Sequence, residues 1–299
     1  MGWMGVLMLC VTFIWAANAV AGKFALRGFS PMALAELRVV GATAGFVLVY
    51  IILRGWPKLH FTRREWGFMA LAGLNGVTLN QGFYLSGLSR TSVAHTALIV
   101  ALGPVVVLVL ACLLRMEALT AAKSLGMVIA FCGVAALTIG KPSEASGASW
   151  LGDILMLAGR VAFAYYTILL KQGAGRYDTL TLSMVTFGLG ALMLAPFSVH
   201  AIVKTRWQAA PPLAWVGLAF MIIFASVVAY LLFAHVLTVM TASQAAAYIY
   251  LSPVIAIGLG VWLLSEIITW KVLVGGGMIL FGLFLTGKGK QEPEAGTAE

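Results

Sequence analysis

Three kinds of residue in this sequence offer chemistry within an otherwise apolar chain: one deep arginine, a set of amides and aromatic rings, and two prolines. Arg160 stands ten residues into an apolar stretch running from 151 to 171. At 1.5 Å per helical residue that is about 15 Å, the middle of a hydrocarbon layer about 30 Å thick. A guanidinium there costs roughly 2.5–3.5 kcal/mol on insertion scales, so it must face a watery cavity or a partner. In a cavity it would meet a substrate carboxylate. As a structural group it would pair with Asp153, two turns earlier, or with the carbonyls of neighbouring helices.

The second set is polar or aromatic without charge. Successive apolar stretches carry Trp15 and Asn18; Asn80, Gln81 and Tyr84; His95, Ile99 and Leu102; Phe163 and Tyr166; Tyr230 and Phe233; and Gln244, Tyr248 and Leu251. Aromatic walls with a few amides suit a small amphipathic solute. Taken singly, each residue serves equally well in interhelical packing or hydrogen bonding. His95 and His235 are of the type that titrates near neutral pH, but lone histidines in apolar stretches read as neutral, hydrogen-bonded groups. Glu36 and Arg38 fall in the first turns of the second stretch, close enough to the interface to snorkel, and read as structural groups at the helix start, as does Asp153. Pro104 and Pro253 stand mid-stretch. Each removes a backbone bond and leaves a carbonyl, that of Val100 or Ile249, to find another partner or to line a cavity. They are either static kinks or gates.

The elements that must position these residues follow from composition. The chain has 299 residues, of which 62% are hydrophobic and 10% charged. A soluble domain has roughly 45–50% apolar and about 25% charged residues, so a soluble enzyme, a disulfide scaffold and a disordered chain are all excluded. Ten apolar stretches lie at about 3–22, 31–53, 66–86, 92–114, 121–139, 151–171, 179–199, 212–238, 242–264 and 270–287. Each is long enough to span a bilayer, and little chain is left for an extramembrane domain. The tail 288–299 is polar and reads as disordered. No Lys or Arg precedes the first stretch, so it is expected to remain as a span rather than be cleaved as a leader.

The net charge of +9 sits in short loops between apolar stretches, which points to anionic lipid and not to nucleic acid. One side of the membrane collects Arg54, Lys58, Arg63, Arg64, Arg115, Lys123, Lys171, Arg176, Lys288 and Lys290. The other collects Lys23, Arg27, Arg90, Lys141, Lys204, Arg206 and Lys271. The bias places both termini in the cytoplasm. Cys10, Cys112 and Cys132 lie in apolar stretches at no metal-binding spacing and read as free thiols.

An internal repeat organises the whole. At an offset of 149, Pro104 matches Pro253, Glu117 matches Glu266, Gly126 matches Gly275 and Gly133 matches Gly282; at 148, Lys23 matches Lys171. Each half, 1–140 and 150–287, then holds five spans, and five is odd, so the second half enters the membrane inverted. Such inverted pairs hold their substrate near the midplane. The fold expected is all-α and integral to the membrane: ten transmembrane helices in two inverted five-helix repeats around a central cavity. No Gly-rich Lys-Ser/Thr loop for ATP, metal-ligand cluster, hydrolase triad or selectivity filter is present. An enzyme, a cofactor and a metal are therefore not expected. A lipid-modifying membrane enzyme and a passive channel remain as alternatives.

The ordered motifs resemble the drug/metabolite transporter superfamily, EamA-type. In the first half these are Trp15-Ala16-Ala17-Asn18, Ser30-Pro31 before Glu36-Leu37-Arg38, Tyr84, Leu88, Thr91-Ser92-Val93-Ala94, Leu102-Gly103-Pro104-Val105, Glu117, Gly126 and Gly133-Val134. In the second half they are Gly152-Asp153, Ala242-Ser243, Tyr250-Leu251-Ser252-Pro253-Val254, Glu266, Gly275 and Gly282. The resemblance implies a secondary carrier of a bacterial inner membrane, working as a monomer and exporting small metabolites. Amino acids are the leading class, with a nucleoside, a sugar or a drug-like cation as the alternatives. Ile99 and Ala101 stand where aromatic-amino-acid exporters carry aromatic residues, which implies a broader range. The residues expected to bind substrate are Asn18, Asn80, Gln81, Tyr84, His95, Ile99, Arg160, Phe163, Tyr230, Gln244 and Tyr248, with Pro104 and Pro253 as gates.

Overall fold

In an apolar chain inside lipid, every backbone N–H and C=O must be satisfied within the segment, so long apolar runs fold as helices. Their starts fall where the sequence supplies caps. Ser30-Pro31 opens α2 (Pro31–Arg54), with proline in the first turn where its missing N–H costs nothing. Thr62 and Glu65 form a reciprocal capping box at the start of α3 (Arg63–Gly73). Asp178 accepts from the Thr181 amide at 2.9 Å and caps α8 (Thr179–Val203). Thr241 and Gln244 make a second capping box on α11 (Ala242–Ala247).

The computed structural model describes residues 2–57, 59–90, 99–138, 150–252, 254–255 and 270–288. The remaining helices are α1 (Trp3–Ala25), α4 (Asn80–Leu88), α5 (Gly103–Leu113), α6 (Ala121–Thr138), α7 (Trp150–Gly173), α9 (Pro212–Ile222), α10 (Ala229–Val239) and α12 (Trp270–Lys288). Among the described residues the architecture is all-helical; an isolated bridge joins Ala174 to Tyr177. Five described segments are long and apolar enough to cross a membrane: Trp3–Ala25, Pro31–Arg54, Trp150–Gly173, Thr179–Val203 and Pro212–Val239. The shortest of them, 23 residues, measures about 35 Å as a helix. Shorter apolar helices cover Ile99–Leu113, Ala121–Ala136 and Leu273–Gly287.

The third and eighth apolar stretches depart from simple helices. Each contains a π-helical turn, Leu74–Leu79 between α3 and α4 and Ile223–Val228 between α9 and α10. The Asn80 amide reaches back five residues to the Asn75 carbonyl, and the Ala229 amide does the same to Phe224. The two turns occupy the same six positions at an offset of 149. Pro104 lies in the first turn of α5, two residues after a break at Leu102 within the apolar helix Ile99–Leu113. Pro253 and Glu266 lie outside the described residues, as does the tail beyond Lys288.

The helices pack in pairs: α1 lies against α9 and α10, α7 against α4 and its π turn, α2 against α8, α5 against α11, and α6 against α12. Small residues allow the close approaches. On the α6–α12 seam, a Cβ at Gly126 would sit 2.6 Å from the Gly282 carbonyl, and one at Gly133 would sit 2.7 Å from the Gly275 carbonyl. These are the four glycines of the repeat register, crossed over.

One end of the bundle carries several polar links. Lys171 Nζ donates to the Leu237 carbonyl at 3.0 Å, which sets the end of α10 beside the end of α7. Arg54 grips Asp178 with two bonds of 2.6 and 2.7 Å. Burial pushes the Asp178 carboxyl up, but bonds from Arg54 and Thr181 outweigh this and hold it below the usual carboxylate range. Glu65, in the same neighbourhood, is lowered by its bonds from the Thr62 amide and hydroxyl. Glu117 and Lys123 form a buried ion pair of 2.7 Å, and Glu117 also accepts from the Ser243 amide at 3.0 Å and from the Ser243 hydroxyl. At the other end Phe29 meets Trp215 edge-on at 4.9 Å, and Gly152 lies against the Arg90 backbone.

Candidate functional site

The middle of the bundle is built where α1, α2, α4, α7 and α10 meet beside the two π turns. Trp15 on α1 is the hub of an aromatic cluster, 5.6 Å from Phe163, 5.9 Å from Tyr230 and 5.2 Å from Phe233 between ring centroids. Phe163 stacks on Phe233 at 5.9 Å, and Phe187 meets Tyr230 edge-on at 4.8 Å. Such pairs add about 0.5–1.5 kcal/mol each beyond area burial.

Two guanidinium groups sit in that wall. Arg160 Nη2 donates to Asn80 Oδ1 at 3.3 Å, and its planar head lies over the rings of Tyr84 and Phe163, at 5.2 and 5.5 Å. Its Nε is buried and meets no acceptor among the described residues. None of its partners is Asp153. Arg38 is the residue sequence reasoning misplaced. It does not snorkel: it is 3% exposed and donates from Nε to Ser226 Oγ at 2.9 Å, from Nη1 to Gln81 Oε1 at 3.1 Å and from Nη2 to the Ala225 carbonyl at 3.3 Å. Counting depth from the start of α2 overlooked that the π turn after α9 packs over this level of the helix. Glu36, 8% exposed, is likewise buried, accepting from Ser198 Oγ at 2.9 Å. Among the described residues no carboxylate lies within ion-pair distance of Arg38 or Arg160.

Asn80 and Gln81, adjacent on α4, thus receive one arginine each. Gln81 passes the connection on, donating to Tyr230 Oη at 3.2 Å. Asn80 Nδ2 donates to the Gly76 carbonyl at 3.2 Å, while Trp15 Nε1 donates to that of Ala225 at 3.2 Å. Gly76 and Ala225 are equivalent positions in the two π turns, so each turn has a carbonyl engaged by site side chains. π turns of this kind occur often at functional sites, and no residue type in the sequence marks them.

A narrow cavity opens against this wall. Arg160, Phe163, Ala164 and Thr167 line it from α7, Phe233 from α10, Val100, Gly103 and Val107 from the fourth stretch, and Ala246 and Ile249 from the ninth. Its walls stand close, leaving no more space than about one water molecule needs.

Several expected lining residues are placed differently. Ile99 and Leu102 are not in the wall; Val100 and Gly103 are. Gln244 is taken up by the capping box, its Oε1 accepting from the Thr241 amide at 3.4 Å. Tyr248 is buried, its carbonyl accepting from Thr12 Oγ1 at 3.4 Å. Asn18 is buried, with an Oδ1 that no donor among the described residues meets. Asn80, Gln81, Tyr84, Arg160, Phe163 and Tyr230 come together. His95 lies outside the described residues. The capping of Gln244 was readable from the Thr-x-x-Gln spacing.

Comparison with known proteins follows the same division of the chain. The sequence model of the EamA-like transporter family matches residues 2–139 and again residues 150–288. The chain belongs to the EamA-like transporter family. It is 30% identical, over 94% of its length and 96% of the other's, to an uncharacterized transporter of Archaeoglobus fulgidus. It is 26% identical to the uncharacterized transporter YvbV of Bacillus subtilis, over 90% of this chain and 86% of that one. A solved crystal structure superposes with a TM-score of 0.75 at 17% identity, covering 94% of this chain and 95% of the other, a likeness of fold. Family and apolar helices together make this a multi-pass membrane protein.

Proposed function

We propose that this member of the family is a secondary carrier that exports amino acids or related small carboxylate-bearing metabolites by alternating access. The observation that carries the reading is Arg160: a guanidinium in the cavity wall, stacked on two rings, bonded to a neutral amide and with a donor unused. A carboxylate is the group such a head receives best, and the aromatic wall suits the rest of a small amphipathic solute. The same positive charge disfavours a drug-like cation.

The proposed architecture is two inverted repeats of five helices, 1–140 and 150–287, rocking about the central site. Three observations support it: the π turns in one register, the crossed glycine pairs and the family match to each half. In this reading the end that carries Arg54, Lys123 and Lys171 faces the cytoplasm, with both chain termini, and the membrane is a bacterial inner membrane.

The test is counterflow in proteoliposomes loaded with a panel of amino acids, nucleosides and sugars, with and without a pH gradient. Saturable counterflow of an amino acid is the expected result. Flux without saturation or counterflow would make the protein a channel, and exchange confined to nucleosides or sugars would overturn the amino-acid assignment.

A further inference from the structure

Among the described residues the central site holds two arginines and no carboxylate paired with either. Among those residues Arg38 bonds only to an amide oxygen, a hydroxyl and a backbone carbonyl, and Arg160 only to an amide oxygen and two ring faces. Through Asn80 and Gln81, neighbours on one helix, both act on the same small region. Paired charges in a low-dielectric interior stabilise each other, whereas unpaired ones retain most of their desolvation cost. Glu36, the buried carboxylate on α2, is engaged by Ser198.

A zwitterionic solute would leave this region with two net positive charges, as it is without solute. A solute with net negative charge removes one or more. We infer that the central site selects small organic anions over zwitterions and cations, and that a membrane potential, negative inside, expels them. This deepens the carrier reading, narrowing its amino acids to the acidic ones, and rests on it. Arg160, which lines the cavity, touches the anion; Arg38, standing behind Asn80 and Gln81, is a positioning residue that adds charge and holds Gln81. Neither arginine has a carboxylate partner among the described residues to bring a compensating proton across with the solute. The anion then crosses with its charge, and a potential of about 59 mV holds a tenfold gradient of a monovalent species.

The test uses the full chain in proteoliposomes with four labelled probes: glutamate and succinate as anions, one with and one without an ammonium group, glutamine as a zwitterion and lysine as a cation. Counterflow of at least one anion should exceed that of glutamine and lysine tenfold or more. A potassium diffusion potential set by valinomycin, inside negative, should speed anion efflux, and the reversed potential should slow it. Arg38→Gln should lower anion counterflow tenfold or more and Arg38→Lys should restore most of it, with melting in detergent checked for both. A purely structural Arg38 predicts no such rescue of selectivity between glutamate and glutamine. Glutamine or lysine exchanging as fast as the anions would overturn the charge selection and leave the carrier reading standing. Anion flux indifferent to the potential would overturn the expulsion step. Absence of counterflow for these probes and for the whole wider panel would overturn the carrier reading itself.

Discussion

Gln81 Nε2 donates to Tyr230 Oη at 3.2 Å, and the two residues are 149 positions apart in the chain. That is the offset between the two π turns and between the glycines of the α6–α12 seam. Under a two-fold arrangement, a residue can touch its own counterpart only next to the axis, so this bond marks the axis of the proposed repeats. Tyr230→Phe strands the buried Gln81 amide and should cost about 1–3 kcal/mol, read as a lower melting temperature in detergent. Gln81→Leu in the same background should add less than it does alone, a coupling of at least about 0.5 kcal/mol. Additive losses would mean that the bond does not hold the two helices together.

The glycine seam gives a prediction about packing. A Cβ at Gly126 would press on the Gly282 carbonyl and on Thr286 Oγ1, both 2.6 Å away, and both are anchored in α12. Gly126→Ala should therefore cost about 1–3 kcal/mol as an overpacked contact. Gly276, on the same helix α12, has nothing within 4 Å of an added Cβ, so Gly276→Ala should leave the melting temperature unchanged. Equal effects at both positions would show that helix propensity governs here and the seam does not.

The residues explain how much was legible. Apolar length marks helices such as Trp3–Ala25 and Thr179–Val203 almost to their ends, because lipid leaves the backbone no other choice. Arg160 stands out because a charge in mid-span is rare and costly. Arg38 was hidden because depth counted along one helix says nothing about what its neighbours cover. The exchange of Ile99 for Val100 and Gly103 in the cavity wall is a rotation about the helix axis. A stretch that is apolar all round has no face to fix that rotation.

Asp178 joins two tasks, pairing with Arg54 and capping α8. Asp178→Asn keeps a good cap and loses a half-exposed ion pair, so it should cost less than about 1 kcal/mol. Asp178→Ala loses both and should cost about 1 kcal/mol more. Because the folded carboxyl is held below its usual range, its contribution is complete above the unfolded value of about 3.9. It disappears as pH falls through the lower folded value. Melting curves at stepwise lower pH should show a smaller loss for Asp178→Asn than for the unaltered protein.

Glu117 and Lys123 are a stricter case, because both side chains are almost fully buried. Glu117→Gln leaves the ammonium unpaired and weakens the hold on the Ser243 amide at the start of α11. It should cost about 3–5 kcal/mol. The double variant Glu117→Gln with Lys123→Met removes both charges and should recover a large part of that loss, read again by melting. No recovery would mean that the Ser243 contacts, not the ion pair, carry the stability of this end.

Arg160 separates a substrate role from a structural one by moving two readouts in opposite directions. Burying this guanidinium costs roughly 2.5–3.5 kcal/mol on insertion scales, and its single hydrogen bond among the described residues, to Asn80 at 3.3 Å, is long. Arg160→Met keeps much of the stem packing without the charge, so the melting temperature should hold or rise while counterflow falls at least a hundredfold. Arg160→Lys keeps the charge but puts a point ammonium where a flat head lies between Tyr84 and Phe163. It should raise KM tenfold or more and leave measurable transport. A structural arginine would show the reverse for Arg160→Met, a lower melting temperature with transport per folded molecule unchanged. That pattern would remove Arg160 from the site.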